Sequence, residues 1–110
     1  MTSPSKRKGD AGELEVQAIF RDQIGSGRRA LGAGRKDDIG DITGIPHLTV
    51  QVANRKDVAA TVREKPLEAE QQRIRAGTAF GCTFIRLHGG DWRVVLTTDQ
   101  FFSLYREATS

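Results

Sequence analysis

Oxygen-bearing side chains recur at spacings that could place them around one divalent cation. Residues 38–42 are Asp-Ile-Gly-Asp-Ile, and residues 50–54, after a short connection, are Val-Gln-Val-Ala-Asn. If the two segments pair as strands, Asp41 and Gln51 come close together, because alternate residues of a strand share one face. Glu13, on an earlier helix, could add another carboxylate. Mg²⁺ prefers such oxygen ligands and keeps several waters, so these three side chains are candidate metal ligands.

Each candidate also has an alternative role in local structure. Glu13 lies three residues after Asp10, which is the spacing of a helix capping box. Asp41 stands beside Gly40 in a pair that is common in turns. Gln51 could be a polar residue on the solvated face of a sheet. The sequence alone leaves both roles open for each residue.

Hydrophobic periodicity predicts the elements that must position these groups. The first helix is expected to begin near Asp10 and to bury Val16 and Phe20 on one face. Residues 1–9 would then be a flexible basic arm, and residues 10–110 would form a single domain.

The rest of the chain alternates between predicted strands and helices. Strands are expected at 28–34, 41–43, 47–54, 82–87 and 92–96, and helices at 66–78 and 98–106. The strand at 47–54 is the clearest, because apolar and polar or small residues alternate along it. This order indicates an α/β domain, in which a mixed central sheet of about five strands is flanked by helices.

One polar residue interrupts the apolar pattern of the predicted helix 66–78. Leu67, Gln71 and Ile74 share a stripe that we expect to be buried. A buried amide needs hydrogen-bond partners. Gln71 therefore either reaches toward the candidate metal site or lies at a partly exposed boundary.

The composition restricts the class of protein without defining it. The 110 residues carry a net charge of +3, and the pI near 9.4 is compatible with nucleic-acid binding. A single cysteine, Cys82, excludes an internal disulfide and a multi-cysteine zinc site, and we expect it in the core. No apolar run approaches the length of a membrane span, so we expect a cytoplasmic protein.

Basic residues cluster along the chain and are candidate contacts for DNA phosphates. They are Lys6, Arg7, Lys8, Arg28, Arg29, Arg35, Lys36, Arg55 and Lys56.

Together these motifs resemble the PD-(D/E)xK nuclease superfamily, and within it the Holliday junction resolvase-like branch found in archaea and phages. The resemblance rests on Lys8-Gly9 before Glu13, on the Gly-Asp-Ile motif at 40–42, and on the segment 51–54 in the place of the acid-x-Lys strand. It covers nearly the whole chain and implies a restriction-endonuclease-like core.

Carried onto this chain, the resemblance implies that Glu13, Asp41 and Gln51 hold Mg²⁺, with Mn²⁺ able to substitute. Gln51 replaces an acid, as it does in some branches of the superfamily. Ala53 stands at the position of the catalytic lysine and is the larger departure, because a methyl group cannot orient water or stabilise charge on a phosphate. Loss of one such electrostatic contact typically slows a reaction by about 10²–10³-fold.

Three explanations are open for Ala53. It could be an engineered inactivating substitution, which the otherwise typical surrounding sequence favours. The chain could be a natural pseudo-nuclease that binds DNA. The positive charge could also have moved, for example to Arg55, which would share the face of Ala53 if the strand continued, while Lys56 would point away.

The resemblance therefore implies a metal-dependent endodeoxyribonuclease that resolves four-way DNA junctions and is impaired by Ala53. It also implies a homodimer, since a two-fold dimer suits a two-fold junction. Phe101, Phe102 and Tyr105 could form the dimer interface or belong to the core. The alternatives are a non-catalytic DNA-binding pseudo-nuclease and a nicking or restriction-type endonuclease acting on linear duplex. If a phage encodes the chain, its location would be the host cytoplasm.

Overall fold

Three helices and five strands form the protein in a computed structural model that describes residues 3–30 and 38–110. In chain order they are α1 (Pro4–Gln23), β1 (Arg28–Arg29), β2 (Ile42–Thr43), β3 (Leu48–Ala53), α2 (Val58–Ala76), β4 (Phe80–Arg86), β5 (Trp92–Val95) and α3 (Thr98–Ala108). The predicted α/β class, with a mixed five-stranded sheet flanked by helices, is confirmed. Among the described helices, none combines the length and hydropathy that a bilayer crossing requires.

The strands form one sheet in the order β1-β2-β3-β4-β5. β3 and β4 are parallel, and the other neighbours are antiparallel. A parallel pair needs a crossover connection, which α2 supplies. Ile42 of β2 lies opposite Val50 of β3, so the two strands that carry the acidic and amide motifs pair directly.

The first helix begins earlier than predicted. α1 starts at Pro4, and the Ser3 hydroxyl caps it by accepting a backbone hydrogen bond of 3.1 Å from the first turn. Proline is well suited to this position because it has no N–H to leave unpaired. The expected arm is therefore wrong for residues 4–9, which are helical, and the expected helix start at Asp10 is also wrong.

The second helix also begins earlier than predicted, at Val58 rather than at Pro66. The Asp57 side chain caps it by accepting a backbone hydrogen bond of 3.0 Å. Pro66 lies inside the helix, where it leaves out one backbone hydrogen bond. The helix ends at Gly77, whose φ of 74° is the left-handed conformation typical of a glycine C-cap, and not near Gly81, which lies within β4.

The buried face of α2 is not the one that its large apolar residues predict. Ala69 and Gln72 are buried, whereas Leu67 and Ile74 are 61% and 67% exposed. The predicted buried stripe is therefore wrong, and Gln71 is an exposed residue. The buried residues of α2 are small or polar, so a search for periodic large apolar residues does not find the buried face.

The two faces of the sheet differ in polarity. α1 covers one face, where its Val16 and Phe20 pack with Val50 of β3 and Cys82 of β4 in the hydrophobic core, as their burial was predicted. α2 covers the other face. That face carries the buried polar residues Thr49, Gln51 and Thr83. The sheet therefore has a dry apolar side and a polar side.

Cys82 lies in the apolar core with 5% of its surface exposed, as predicted. Burial raises the pKa of the Cys82 thiol to about 12. Because the thiolate is the reactive form of cysteine, this residue has a packing role rather than a chemical one.

The turn before β2 depends on Gly40. Its φ is +97°, and a Cβ at this position would lie 2.9 Å from Thr49 Cγ2 and 2.9 Å from the backbone oxygen of Val50. Gly44 also has a positive φ, of +80°, but a Cβ there would meet nothing within 4 Å. Both glycines have a left-handed backbone conformation, but only Gly40 lies so close to β3 that a Cβ would collide with it. Comparing substitutions at the two positions therefore distinguishes the two effects.

The Gly40→Ala variant should be less stable than the Gly44→Ala variant. Alanine in a left-handed conformation costs about 1–2 kcal/mol, and this cost applies to both. Only Gly40→Ala adds the crowding against β3, which should cost about 1–3 kcal/mol more. Urea unfolding of both variants measures the difference, and equal losses of stability would contradict the close approach.

Candidate active site

All of the residues predicted to form the catalytic site except Gln71 line one open cavity of about 670 Å³, which we call the central cavity. Glu13 reaches it from α1, Asp41 from the residue before β2, and Gln51 and Ala53 from β3. Side chains of α2 line it as well. The structure thus brings Glu13 together with Ala53, which lies 40 positions later in the chain, and with still later residues of α2.

Asp41 is held in place by the backbone of β3. Its N–H donates to the Val50 oxygen at 2.8 Å, and its Oδ2 accepts from the Val52 N–H at 2.8 Å. The Ala30 N–H donates to the backbone carbonyl oxygen of Asp41 at 2.9 Å. These bonds fix the carboxylate at the junction of β2 and β3, beside the central cavity.

Glu13 is placed by a close approach of α1 to the end of β3. A Cβ on Gly12 would lie 3.1 Å from Asn54 Cβ and 3.4 Å from the Trp92 ring, so this turn of α1 fits only a very small residue. The next residue is Glu13, whose Oε1 accepts a 3.3 Å hydrogen bond from Arg29 Nε. Its carboxylate is therefore an element of the site and not the expected capping box.

The electrostatic environment of Glu13 disfavours its charged form. Burial raises the pKa of the Glu13 carboxyl, and the negative charge of Asp41 raises it further, while the hydrogen bond from Arg29 acts in the opposite direction. Burial is the largest of these causes, and the positive charge of Arg29 does not offset burial and the charge of Asp41 together. A cation in the central cavity would relieve this repulsion.

Gln51 is buried on the polar face of the sheet. It is 4% exposed, and its Oε1 accepts a 3.3 Å hydrogen bond from Thr83 Oγ1. A hydroxyl can donate or accept, so rotation of the amide would keep a bond to Thr83 and turn the oxygen to a new direction. Gln51 is therefore not on a solvated face, and it can serve as a neutral oxygen ligand at the cavity wall.

Ala53 is the last residue of β3, and it is only 2% exposed although it lines the central cavity. β3 ends at Ala53 and does not continue to Arg55. The condition under which Arg55 would share the face of Ala53, with Lys56 pointing away, is therefore not met. Both cationic residues are exposed, and both line the cavity.

Three residues that the sequence analysis did not single out line the cavity from α2. They are Lys65, Glu68 and Gln72, which share one face of the helix. Gln72 is 3% exposed, and its Nε2 donates to Asp38 Oδ2 at 2.9 Å. Its Oε1 is buried without a hydrogen-bond partner among the described residues. Gln72, and not the predicted Gln71, is thus the α2 amide at the site.

A capping signal in the sequence could have revealed this face. Asp57 is followed by Val-Ala-Ala-Thr, which is typical of a capped helix start. With the helix started there, Ala69 becomes the small residue that allows close packing on β4, and its carbonyl lies 3.1 Å from where a Cβ of Gly81 would be. Gln72, three residues further on, then falls on the buried side.

The predicted DNA contacts fall into three groups. Arg7, Lys8, Arg28, Arg55 and Lys56 are exposed. Lys6 and Arg29 are engaged with acids: Lys6 Nζ lies 3.2 Å from Asp10 Oδ2, and Arg29 lies 2.7 Å from Asp10 and 3.3 Å from Glu13. Arg35 and Lys36 lie outside the described residues.

A second cavity, of about 290 Å³, adjoins the central cavity and shares Lys8 and Arg55 with it. Arg86 and the turn at Gly89 and Gly90 also line it. Arg86 Nη1 pairs with Glu15 at 3.3 Å, whereas its buried Nε has no hydrogen-bond partner among the described residues. Lys8 and Arg55 thus form a cationic edge that the two cavities share.

The residues present at the central cavity fit a hard divalent cation. Two carboxylates and two amides present oxygen, the donor that Mg²⁺ prefers. The buried Gln72 Oε1, which has no hydrogen-bond partner among the described residues, is one oxygen that such a cation could use. Within residues 3–30 and 38–110, no group of three or more His, Cys, Asp and Glu side chains could hold a metal by itself. Water and substrate oxygens would have to complete the coordination.

Comparisons of the chain with protein-family models, with curated proteins and with solved structures each found no match.

The Glu13→Gln variant should differ from the natural chain in how its stability depends on pH. A carboxyl whose pKa is raised by folding binds protons more tightly in the folded state, so its stabilising contribution declines as pH rises from about 4.5 through the raised pKa. In EDTA, the stability of the natural chain relative to Glu13→Gln should therefore fall with rising pH.

Urea unfolding at several pH values gives this difference, and Glu64→Gln, at an exposed position, controls for the loss of one charge. A difference that stays constant or rises with pH would show that the surroundings of Glu13 do not disfavour its charge.

Proposed function

We propose that the chain is a Mg²⁺-dependent DNA endonuclease scaffold. The observation that carries the proposal is the central cavity, where Glu13, Asp41 and Gln51 meet beside exposed cationic residues. Metal-dependent phosphodiester hydrolysis uses such a combination, in which a cation neutralises the phosphate while protein groups hold the substrate backbone. The proposed location is the cytoplasm, or that of the host if a phage encodes the chain.

In this proposal Glu13, Asp41 and Gln51 hold the metal, and Asp41 is the most rigid of them because the backbone of β3 anchors its carboxylate. When bound, Mg²⁺ would supply Lewis-acid stabilisation of the phosphate and activation of water. Gln51 contributes an oxygen without a charge. Gln72 orients Asp38 at the edge of the same cavity and offers its own unpartnered oxygen.

The basic rim gives the DNA backbone a path across the site. Lys8 and Arg55 line both cavities, so a strand whose scissile phosphate enters the central cavity could place a neighbouring phosphate near Arg86 in the second one. Lys56 adds charge on the central cavity. Such contacts carry no sequence information, which suits a nuclease that recognises the shape of its substrate.

We further propose that the substrate is a four-way DNA junction and that the chain acts as a homodimer. A two-fold dimer would present two sites to opposed strands. α3 offers a surface for the dimer, since Phe101, Phe102 and Tyr105 are all more than half exposed. Phe101 meets Phe102 edge-to-face, with ring centroids 5.2 Å apart, and stacks on Tyr105 at 6.4 Å, so the aromatic surface is continuous.

Ala53 favours a second candidate function, that of a DNA-binding pseudo-nuclease. Its methyl group supplies no charge at the cavity wall. A protein that binds junctions without cutting them would use the same basic surface and would not need a cation at position 53.

Cleavage of a labelled four-way junction tests the main proposal. The natural chain and its Ala53→Lys variant are incubated with the junction in Mg²⁺, with linear duplex and single strand as alternative substrates. We expect the junction to be preferred and Ala53→Lys to cut at least as fast as the natural chain, because lysine restores an electrostatic contact of a kind worth about 10²–10³-fold in rate.

Asp41→Asn in both backgrounds is the control that assigns any cleavage to the central cavity. If neither protein cuts any DNA in Mg²⁺ or Mn²⁺ while both bind the junction, the pseudo-nuclease is the better account. Preference for linear duplex would instead favour a nicking or restriction-type enzyme.

The Phe102→Asp variant should weaken self-association, because a carboxylate at an apolar interface is costly to desolvate. Analytical ultracentrifugation should show a dimer for the natural chain and a shift to monomer for the variant. Leu14→Asp, at a half-exposed position of α1, is the matched control. An unchanged dimer in Phe102→Asp would exclude α3 as the interface.

A further inference from the structure

We infer that Lys65 of α2 takes the role that a lysine at position 53 would have, by contacting the phosphate that is hydrolysed in the central cavity. The inference rests on the proposed nuclease function, and it identifies which cationic side chain of the protein contacts the phosphate at that site. In the reaction the water oxygen bonds to phosphorus and the bond from phosphorus to the leaving oxygen breaks. One water proton ends on the leaving oxygen and the other in solvent, while Lys65 keeps its charge throughout.

Lys65 is placed differently from the other cationic residues that line the central cavity. Its side chain is only 13% exposed, whereas Lys8, Arg55 and Lys56 are exposed residues of the rim. A long charged side chain is seldom covered to this extent unless it is paired. Lys65 lines the central cavity, and its Nζ is held 3.0 Å from Oε2 of Glu68, which lines the cavity as well.

The helix geometry directs Lys65 toward the other site residues. Lys65, Glu68 and Gln72 lie at positions i, i+3 and i+7, so one face of α2 carries all three to the cavity. α2 follows directly from β3 and runs back across the sheet, which puts its second turn near the end of β3 and near Ala53. Ala53 lines the same cavity as Lys65 and brings no charge of its own to it.

A structural ion pair is the alternative role for Lys65. Its Nζ lies 3.0 Å from Glu68 Oε2, and the Glu68 side chain is 46% exposed. Because Glu68 is nearly half exposed, solvent screens this pair, and screened pairs contribute only about 0–1 kcal/mol to stability. The pair does hold the ammonium group in position, and a phosphate could share it, because an ammonium group has three donors.

The test compares Lys65→Met, which keeps the apolar length of the side chain, with Arg63→Met. Arg63 is an exposed cation on the same helix, and two residues turn an α-helix by about 200°, so it points away from Lys65. Lys65→Arg retains the charge and guards against a loss of folding, which far-ultraviolet circular dichroism and urea unfolding monitor in every variant.

The first readout is junction binding in EDTA as a function of salt. Each phosphate contact contributes about 0.9 to the slope of log K against log salt concentration. Lys65→Met should reduce the magnitude of this slope by about 0.9, the value of one contact. Lys65→Arg and Arg63→Met should leave the slope unchanged. An unchanged slope for Lys65→Met would overturn the phosphate contact, whatever the activity.

The second readout is cleavage in Mg²⁺. Lys65→Met should lose about 10²–10³-fold in rate, and Ala53→Lys introduced into Lys65→Met should restore most of it. If Ala53→Lys cuts but the natural chain does not, or if Lys65→Met cuts as fast as the natural chain, Lys65 has no such role and the nuclease function stands. If no variant cuts any DNA, the proposed function fails and the role of Lys65 fails with it.

Discussion

The hydrogen bond from the Val52 N–H to Asp41 Oδ2 is the constraint on which the candidate site depends. This bond extends the pairing of β2 with β3 by one side-chain hydrogen bond, at the residue that precedes β2. The turn can approach β3 this closely only because Gly40 has no Cβ. A motif that resembles a metal-binding signature is therefore also a structural necessity, and either role alone would account for a glycine and an acid at these two positions.

Polar pairing, rather than apolar packing, joins the helices to the second face of the sheet. Gln100 of α3 accepts from the Gly81 N–H at 2.9 Å and donates to Glu70 of α2 at 3.1 Å, and Gln72 bonds to Asp38 in the same way across the cavity. Buried amides are costly unless they are paired. Of the three buried side-chain atoms without a partner among the described residues, Gln72 Oε1 and Arg86 Nε belong to residues that line the two cavities. This coincidence is what a ligand-binding surface would produce.

The sequence predicted the apolar half of the protein better than the polar half. Val16, Phe20 and Cys82 are buried, as their apolar side chains predict. The alternation along β3 predicted which of its residues share a face, and the pairing of β3 with the segment after Asp41 predicted that Asp41 and Gln51 lie close together. α2 was misplaced because Pro66 resembles a helix start and because its large apolar residues are exposed. Whether Gln71 or Gln72 is buried depends on a rotation of about 100° around the helix, which only the packing of Ala69 on β4 determines.

The charge of the cavity wall bears on how Ala53 should be understood. An acid-x-Lys strand contributes one anion and one cation, whereas Gln51 and Ala53 contribute neither, so the sum of charges on this face of β3 is unchanged. Gln51 and Ala53 therefore leave the net charge of this strand face as an acid-x-Lys pair would, but they remove the cation from this part of the cavity wall. The ion pair of Lys65 and Glu68, on the opposite wall, carries the same two charges on α2.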